Sequence, residues 1–220
     1  MKVSVVVPIK LNNERLPNKT FLRLHNKPLC EHIFDTLVKF KQMMETEFTD
    51  LKLELYCFCS DETICEYLPN PHFHFLQRDP KLDSSDTLIN DVLQSFSQKI
   101  KSDIYILTHI TAPYVKCSSF YSALRKMIDN QRDSIFSVRR IQTFCDYNGQ
   151  PINYDTKNIV PTQNLVPVLE HTSSFFMFTR DVLQSGRRIG DDYEYYELSP
   201  VESIDIDTKE DLEFARMIYC

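Results

Sequence analysis

Ser203-Ile204-Asp205-Ile206-Asp207-Thr208 sets two carboxylates two positions apart. On an extended segment, positions i and i+2 share a side, so Asp205 and Asp207 point together while Ile204 and Ile206 point into the core. Two ionised carboxylates so close repel unless a cation sits between them. Mg²⁺ suits the pair, because it takes oxygen ligands and completes its shell with water and substrate phosphates. Asp205 and Asp207 are therefore candidate metal ligands. A plainer reading is open on these residues alone, with Asp207 or Thr208 as a helix cap and Asp205 as a loop residue.

A second cluster lies near the start of the chain. Lys10-Leu11-Asn12-Asn13-Glu14-Arg15-Leu16-Pro17-Asn18-Lys19 follows the apolar run Val3-Ser4-Val5-Val6-Val7 and Pro8. In open α/β sheets, ligands bind beyond the carboxyl ends of the strands. Lys10, Arg15 and Lys19 can surround a triphosphate there, and Asn12 and Asn13 can add donors. Cations at this place stabilise charge developing on a leaving pyrophosphate. A plain solvated turn is the alternative for the loop by itself.

The elements that must position these groups alternate along the chain. Val3–Val7 reads as a strand buried on both faces, as in a parallel sheet. Leu29, Ile33, Phe34 and Leu37 recur at helical spacing after Pro28. Leu53–Cys59 and Phe73–Leu76 read as strands, and Ser60-Asp61-Glu62 can cap a short helix between them. Asp86 precedes a helix carrying Leu88, Ile89, Val92, Leu93 and Phe96. Further on come a strand at Ile104–Leu107, a helix at Ser118–Ile128 and strands at Ser134–Val138, Phe175–Phe178 and Ser203–Ile206. Thr208 starts a last helix, with Asp211 completing an approximate capping box. Such alternation predicts βαβ units and a mostly parallel sheet with helices on both faces. Residues 142–170 break the pattern. They are rich in Pro, Asn and Thr and carry the turn signal Asn148-Gly149-Gln150-Pro151, so they read as an inserted flap or dimerisation arm within one domain spanning 1–220.

Composition narrows the function. The chain has 220 residues, 42% hydrophobic, with formal net charge −6. That balance argues against a nucleic-acid partner. The N-terminal apolar run is too short for a signal peptide, and no stretch approaches the ~20 apolar residues of a membrane span. Seven cysteines, at 30, 57, 59, 65, 117, 145 and 220, are odd in number and irregular in spacing. They read as reduced thiols, and the expected location is cytoplasmic. Cys57-Phe58-Cys59 with Cys65 lacks the second ligand pair of a zinc site.

With these residues in view, the chain resembles the acylneuraminate cytidylyltransferase family, which includes CMP-sialic acid, CMP-pseudaminic acid and CMP-KDO synthetases. The resemblance runs nearly end to end. Pro17 and Lys19 match the family's A-R-x-x-S-K-x-x-P-x-K-N loop. Lys10 replaces its arginine, Glu14 its first lysine (with Arg15 alongside) and Thr20 its asparagine. Asn26-Lys27-Pro28-Leu29 is similar to G-K-P-L. Gln77-Arg78-Asp79-Pro80-Lys81-Leu82-Asp83-Ser84-Ser85-Asp86-Thr87 is similar to R-P-x-x-L-A-x-D-x, and Thr111-Ala112-Pro113 to T-S-P. Glu202-Ser203-Ile204-Asp205-Ile206-Asp207-Thr208-Lys209-Glu210-Asp211-Leu212 is close to E-x-x-D-I-D-T-x-x-D-L. One departure is clear. Where members carry R-x-N-G-A-I-Y before a late strand, this chain has His171-Thr172-Ser173-Ser174-Phe175-Phe176-Met177.

The resemblance implies a Rossmann-like nucleotide-diphospho-sugar transferase fold. It implies transfer of CMP from CTP to an acidic sugar, with Asp205 and Asp207 holding Mg²⁺. Lys10, Arg15 and Lys19 would neutralise the triphosphate, with Lys19 the leading catalytic cation. Asn12, Asn13, Arg78 and Asp86 would contribute to the nucleotide site, while His109, His171 and Ser173 would face the small acidic acceptor. A homodimer is the implied assembly. Three alternatives stay open: a phosphonate or other non-sugar acceptor, a glycosyltransferase using the paired aspartates, and a non-catalytic nucleotide-binding homologue, for which Glu14 among the basic residues speaks.

Overall fold

A computed structural model describes residues 1–218. Val3, Val5, Val6 and Val7 are all fully buried. They lie on β1, Lys2–Ile9. Alternation along β1 sends Val3, Val5 and Val7 into one apolar cluster and Val6 into another. That double burial is why the run has no polar positions beyond Ser4, whose hydroxyl meets that of Ser102 at 2.6 Å. A fully buried valine contributes about 1.5–3 kcal/mol relative to exposure.

Six more strands complete the sheet: β2 Lys52–Cys59, β3 Phe73–Gln77, β4 Ile104–Leu107, β5 Ser134–Ile141, β6 Val168–Thr179 and β7 Tyr193–Glu197. Their order is β7-β5-β6-β4-β1-β2-β3. Every pairing is parallel except those of β6, which runs antiparallel to both β4 and β5. The mostly parallel sheet expected from the alternation is present.

Helices cover both faces. α1 (Leu29–Glu47) and α3 (Cys117–Asp129) bury Ile33, Phe34, Leu37, Phe120 and Leu124 against one face. α2 (Ile89–Lys99) and α4 (Arg180–Gln184) bury Val92, Leu93, Phe96, Val182 and Leu183 against the other. The chain therefore has an α/β architecture with a mostly parallel sheet between helices on both faces. α5 (Lys209–Arg216) closes a third cluster of Leu16, Leu24, Leu29, Ile206, Leu212 and Ala215, which clamps the N-terminal loop to the C-terminal segment.

Several expectations are corrected. Ser203–Ile206 is not a strand. Pro200 lacks an N–H, and a turn follows in which Ser203 N–H donates to Ser199 O and Ile204 N–H to Val201 O. The edge strand is β7, earlier in the chain, whose Tyr and Glu side chains are all at least partly exposed and give no apolar signature. Pro28 flanks α1 rather than beginning it. α2 starts at Ile89, so Leu88, expected on the helix, stands just ahead of it. The short helix predicted after Asp61 is a 3₁₀ turn, Glu62–Tyr67, capped by Asp61.

Residues 142–170 begin just after β5 and end as the start of β6. Between them, Asp146–Tyr147 pairs with Gln150–Pro151. Asn148 and Gly149 turn the corner with φ of 50° and 72°, the left-handed pair a tight hairpin needs. The six described cysteines are free thiols, and Cys220 lies outside the described residues. No helix among the described residues is long and apolar enough to cross a membrane.

Candidate active site

The site is built where the third apolar cluster brings both ends of the chain together. Asp207 accepts from Lys19 Nζ at 2.7 Å through Oδ1 and forms a salt bridge with Arg15 at 2.8 Å through Oδ2. Lys19 is 9% exposed, held in a 3₁₀ turn, Lys19–Phe21, behind Asn18 at φ 56°. Arg15 is open to solvent. The sequence-predicted metal ligand and two of the predicted phosphate cations thus form one ion cluster.

The paired aspartates are fixed from both sides. Upstream, the buried Glu202 carboxylate accepts from Ser119 Oγ at 2.5 Å, Ser199 Oγ at 2.8 Å and the Lys116 N–H at 3.2 Å, at the start of α3. A carboxylate at a helix N-terminus is favoured by the unpaired N–H groups and the helix dipole. Midway, Ile206 N–H donates to Thr111 O at 2.8 Å. Downstream, Thr208 and Asp211 form a reciprocal capping box, and the Asp207 N–H also donates to Asp211.

Asp205 sits deeper than Asp207. Burial pushes its carboxyl pKa up, the Thr111 hydroxyl opposes that, the Asp207 charge adds to it, and Ser173 and Lys19 oppose it again. Asp205 Oδ1 is buried with no hydrogen-bond partner, as is Ser173 Oγ. Ser173 is therefore near enough to act on the carboxylate without completing a bond of normal geometry. An orphaned buried carboxylate oxygen next to a second carboxylate is an all-oxygen donor set, and it fits Mg²⁺.

Lys10, Asn12, Asn13, Glu14, Arg15, Leu16, Lys19 and Ser85 line a cleft of about 320 Å³. That falls within the roughly 300–1,000 Å³ usual for small-molecule sites. Asn13 faces inward only in part, since its amide donates to Lys10 O and Leu11 O and shapes the loop. Arg78 does not reach the cleft as a free cation. It is 3% exposed, pairs with Asp83, donates to Ile9 O at 2.8 Å and lies over the Phe58 ring. It therefore ties the end of β1 to the 3₁₀ turn Pro80–Asp83. Asp86, expected at the nucleotide site, is exposed and does not line the cleft, whereas Asp83 supplies the carboxylate that meets Arg78.

The two histidines differ. His109 follows β4. Burial pushes its imidazole down to about 4, with the Arg188 and Lys19 cations acting in the same direction and Asp207 against them. It is a neutral ring at pH 7. His171 is exposed on β6 and packs against Phe136 at 4.4 Å between ring centroids. It stands just before the register shift that separates His171 from Phe176 in the β5–β6 ladder. Sequence reasoning missed Thr111, Asp83 and Arg188. Thr111 was legible from its Thr-Ala-Pro motif, whereas the other two act through tertiary contacts.

A cytidylyltransferase family model matches residues 4–219. The N-acylneuraminate cytidylyltransferase of Oncorhynchus mykiss is 27% identical over 141 residues, covering 60% of this chain and 32% of that protein. The N-acylneuraminate cytidylyltransferase of Streptococcus agalactiae serotype V is 20% identical over 220 residues, covering 96% and 52%. The chain thus spans about half the length, or less, of these curated relatives. Among solved structures, a CMP:2-keto-3-deoxy-manno-octonic acid synthetase complexed with CTP superposes with a TM-score of 0.72 at 16% identity, covering 99% of this chain and 98% of that one. A 4-diphosphocytidyl-2C-methyl-D-erythritol synthase from Anaerococcus prevotii gives 0.65 at 11% identity, covering 98% and 94%. With a family model matching almost its whole length and a sheet of the same architecture, this chain belongs to the cytidylyltransferase family.

Proposed function

We propose that the chain is a Mg²⁺-assisted, CTP-dependent nucleotidyltransferase that transfers CMP to an acidic sugar and releases pyrophosphate, supplying activated sugar for glycan synthesis. The observation that carries this reading is the Lys19–Asp207–Arg15 cluster, which joins the basic cleft to the paired aspartates. The likeness to two N-acylneuraminate cytidylyltransferases supports the acidic acceptor.

An acceptor hydroxyl oxygen attacks the α-phosphorus in line. The bond from that phosphorus to the β-bridging oxygen breaks, pyrophosphate carries away the electron pair, and the hydroxyl proton passes to solvent. Such transfer asks chiefly for positioning and charge neutralisation. Lys10, Arg15 and Lys19 take the triphosphate charge, with Lys19 on the leaving side, and Asn12 adds a donor. Arg78 and Asp83 hold the cleft wall. Asp205 and Asp207 would hold Mg²⁺, which when bound neutralises phosphate charge and orients the phosphates. His109, neutral because it is buried, faces the acceptor together with His171 and Ser173. Residues 142–170 serve as a dimerisation arm of a single domain, supported by exposed Phe144, Tyr147, Ile152, Ile159 and Val166. Free cysteines support a cytoplasmic site of action.

Thermal shift against CTP, UTP, ATP and GTP, each with and without Mg²⁺, tests the nucleotide. Ligand at about a hundred times its Kd adds roughly 2.7 kcal/mol. Selective stabilisation by CTP is expected, and preference for another nucleotide overturns the assignment. Glu14 in the cleft wall favours a non-catalytic homologue as the second reading. Absence of any shift makes that reading the better one.

A further inference from the structure

Among the described residues, Arg188 is the arginine that has neither a salt bridge nor a hydrogen bond. Its neighbour Arg187 grips Asp191 with two hydrogen bonds of 2.7 and 3.0 Å. Arg132, Arg139, Arg140 and Arg180 each have a carboxylate as well. Arg188 is half-buried, and its guanidinium lies 4.5 Å over the centroid of Phe176. Burial disfavours its charged form. An uncompensated cation in such a place is unfavourable unless an anion arrives to meet it.

The position of Arg188 is also built. Gly186, at φ 80°, turns the chain out of α4. The Arg187 N–H donates to Val182 O. Asp133 Oδ2 accepts from the N–H groups of Asp191 and Asp192, each at 2.9 Å, and Ser134 Oγ accepts from Gly190 N–H at 2.8 Å. A Cβ on Gly190 would come within 2.3 Å of the Asp133 carboxylate, so the loop packs there only with glycine. Gly190, Asp191 and Asp192, shortly after Arg188, are thus pinned to Asp133 and Ser134 at the start of β5.

The surroundings face the candidate site. Phe176 stacks on Phe136 at 6.0 Å, and Phe136 carries His171 on its other contact. The Arg188 charge acts on His109, which also senses Lys19 and Asp207. One aromatic floor therefore carries a free guanidinium and a histidine, beside the ion cluster.

We infer that Arg188 is the specificity-determining residue that receives an oxyanion of the acceptor, a carboxylate or a phosphate monoester, over the Phe176–Phe136 floor. The planar fork of a guanidinium presents two parallel N–H donors to such a group. Phe176 holds the fork flat by cation–π contact. This inference rests on the nucleotidyltransferase reading and names what the acceptor must carry.

The test measures acceptor-dependent pyrophosphate release with CTP and Mg²⁺ in the whole chain. Probes are N-acetylneuraminate and 2-keto-3-deoxy-manno-octonic acid as carboxylate arms, erythritol 4-phosphate as the phosphate arm, and N-acetylneuraminate methyl ester as the uncharged control. R188Q is expected to raise KM for the preferred anion by roughly 10- to 100-fold, the worth of a charge-assisted hydrogen bond, while leaving the methyl ester's KM unchanged. R188K recovers part of the loss, and R187Q none is expected to incur. Which arm loses most in R188Q identifies carboxylate or phosphate. Equal loss on acid and ester, or no loss on either, overturns the inference. A wild-type protein stabilised by CTP that uses none of the anions overturns it too, with the nucleotide reading intact. Failure to be stabilised by CTP removes both.

Discussion

Lys19 Nζ and Asp207 Oδ1 stand 2.7 Å apart although 188 positions separate them in the chain. Leu16 and Leu24 from the N-terminal loop and Ile206 and Leu212 from the C-terminal segment bury one another to make the contact. The pair links a group suited to phosphate with a group suited to a metal. A bound nucleotide would compete for the first and a metal for the second, so the ligand-free ion pair keeps both charges satisfied until substrates arrive.

Asp207→Asn removes a charge that serves both partners. Turnover is expected to fall by at least about 100-fold, the size of effect seen when one electrostatic stabiliser is lost. The ligand-free protein should lose about 1–3 kcal/mol, because Lys19 remains largely buried without its counterion. Pyrophosphate release and thermal melting read the two effects. Wild-type turnover in D207N would remove Asp207 from the site.

Lys19 and Arg15 should separate in kinetics. Lys19→Met is expected to lower kcat by about 100- to 1,000-fold, since a buried cation at the leaving group acts in the transition state. Arg15 is exposed, and its bridge to Asp207 is screened. Arg15→Gln should raise KM for CTP several-fold at low salt, with the difference from wild type shrinking as salt rises. An equal loss of kcat in both variants would contradict the roles given to them.

Asp83→Asn leaves the Arg78 guanidinium buried without its carboxylate. Breaking a buried pair costs about 3–5 kcal/mol, and partial exposure of Asp83 brings the expectation to about 2–4 kcal/mol. For a chain of this size each kcal/mol lowers Tm by roughly 2–4 °C. Since the same pair braces the cleft wall, KM for CTP should rise alongside. Unchanged melting in D83N would show the pair to be incidental.

Glu54 makes an acid-side contribution. Burial pushes its carboxyl up, but hydrogen bonds from Lys2, Lys52 and Tyr56 outweigh that and hold its pKa at about 2. The folded pKa lies below the ordinary 4.5. Its stabilisation is therefore present above pH 4.5 and lost as pH falls through about 2. Glu54→Gln should lower Tm by about 1–3 °C at pH 7, with the deficit closing in acid. A deficit independent of pH would mean that packing, not charge, is at stake.

The arm presents Ile159 and Val166, 66% and 75% exposed, to solvent in the isolated chain. Wild type is expected to sediment as a dimer and Ile159→Asp/Val166→Asp as a monomer, with little change in the melting of the sheet. A monomeric wild type would refute the dimerisation role of the arm.

The valines of β1, the helical stripes of α1 and α2 and the Thr208–Asp211 cap were legible because each is a local pattern. Burial on both faces requires an unbroken apolar run, burial on one helical face requires the 3.6-residue period, and the capping box lies within a single turn. Asp205, Asp207 and Lys19 were legible as candidates because their types and order match a known pattern. The misread segment Ser203–Ile206 shows the limit. Its alternating isoleucines serve the third cluster from an irregular path, which periodicity cannot distinguish from a strand.

By itself, the sequence determined the α/β class, the paired aspartates and the basic loop, since those depend on composition and short-range spacing. Only the tertiary structure decided that Asp207 pairs with Lys19 and Arg15, that Asp83 answers Arg78, and that Arg188 rests on Phe176 without a counterion. Each of those outcomes depends on which distant side chains compete for one charge in a buried place, and that competition exists only once the chain has closed on itself.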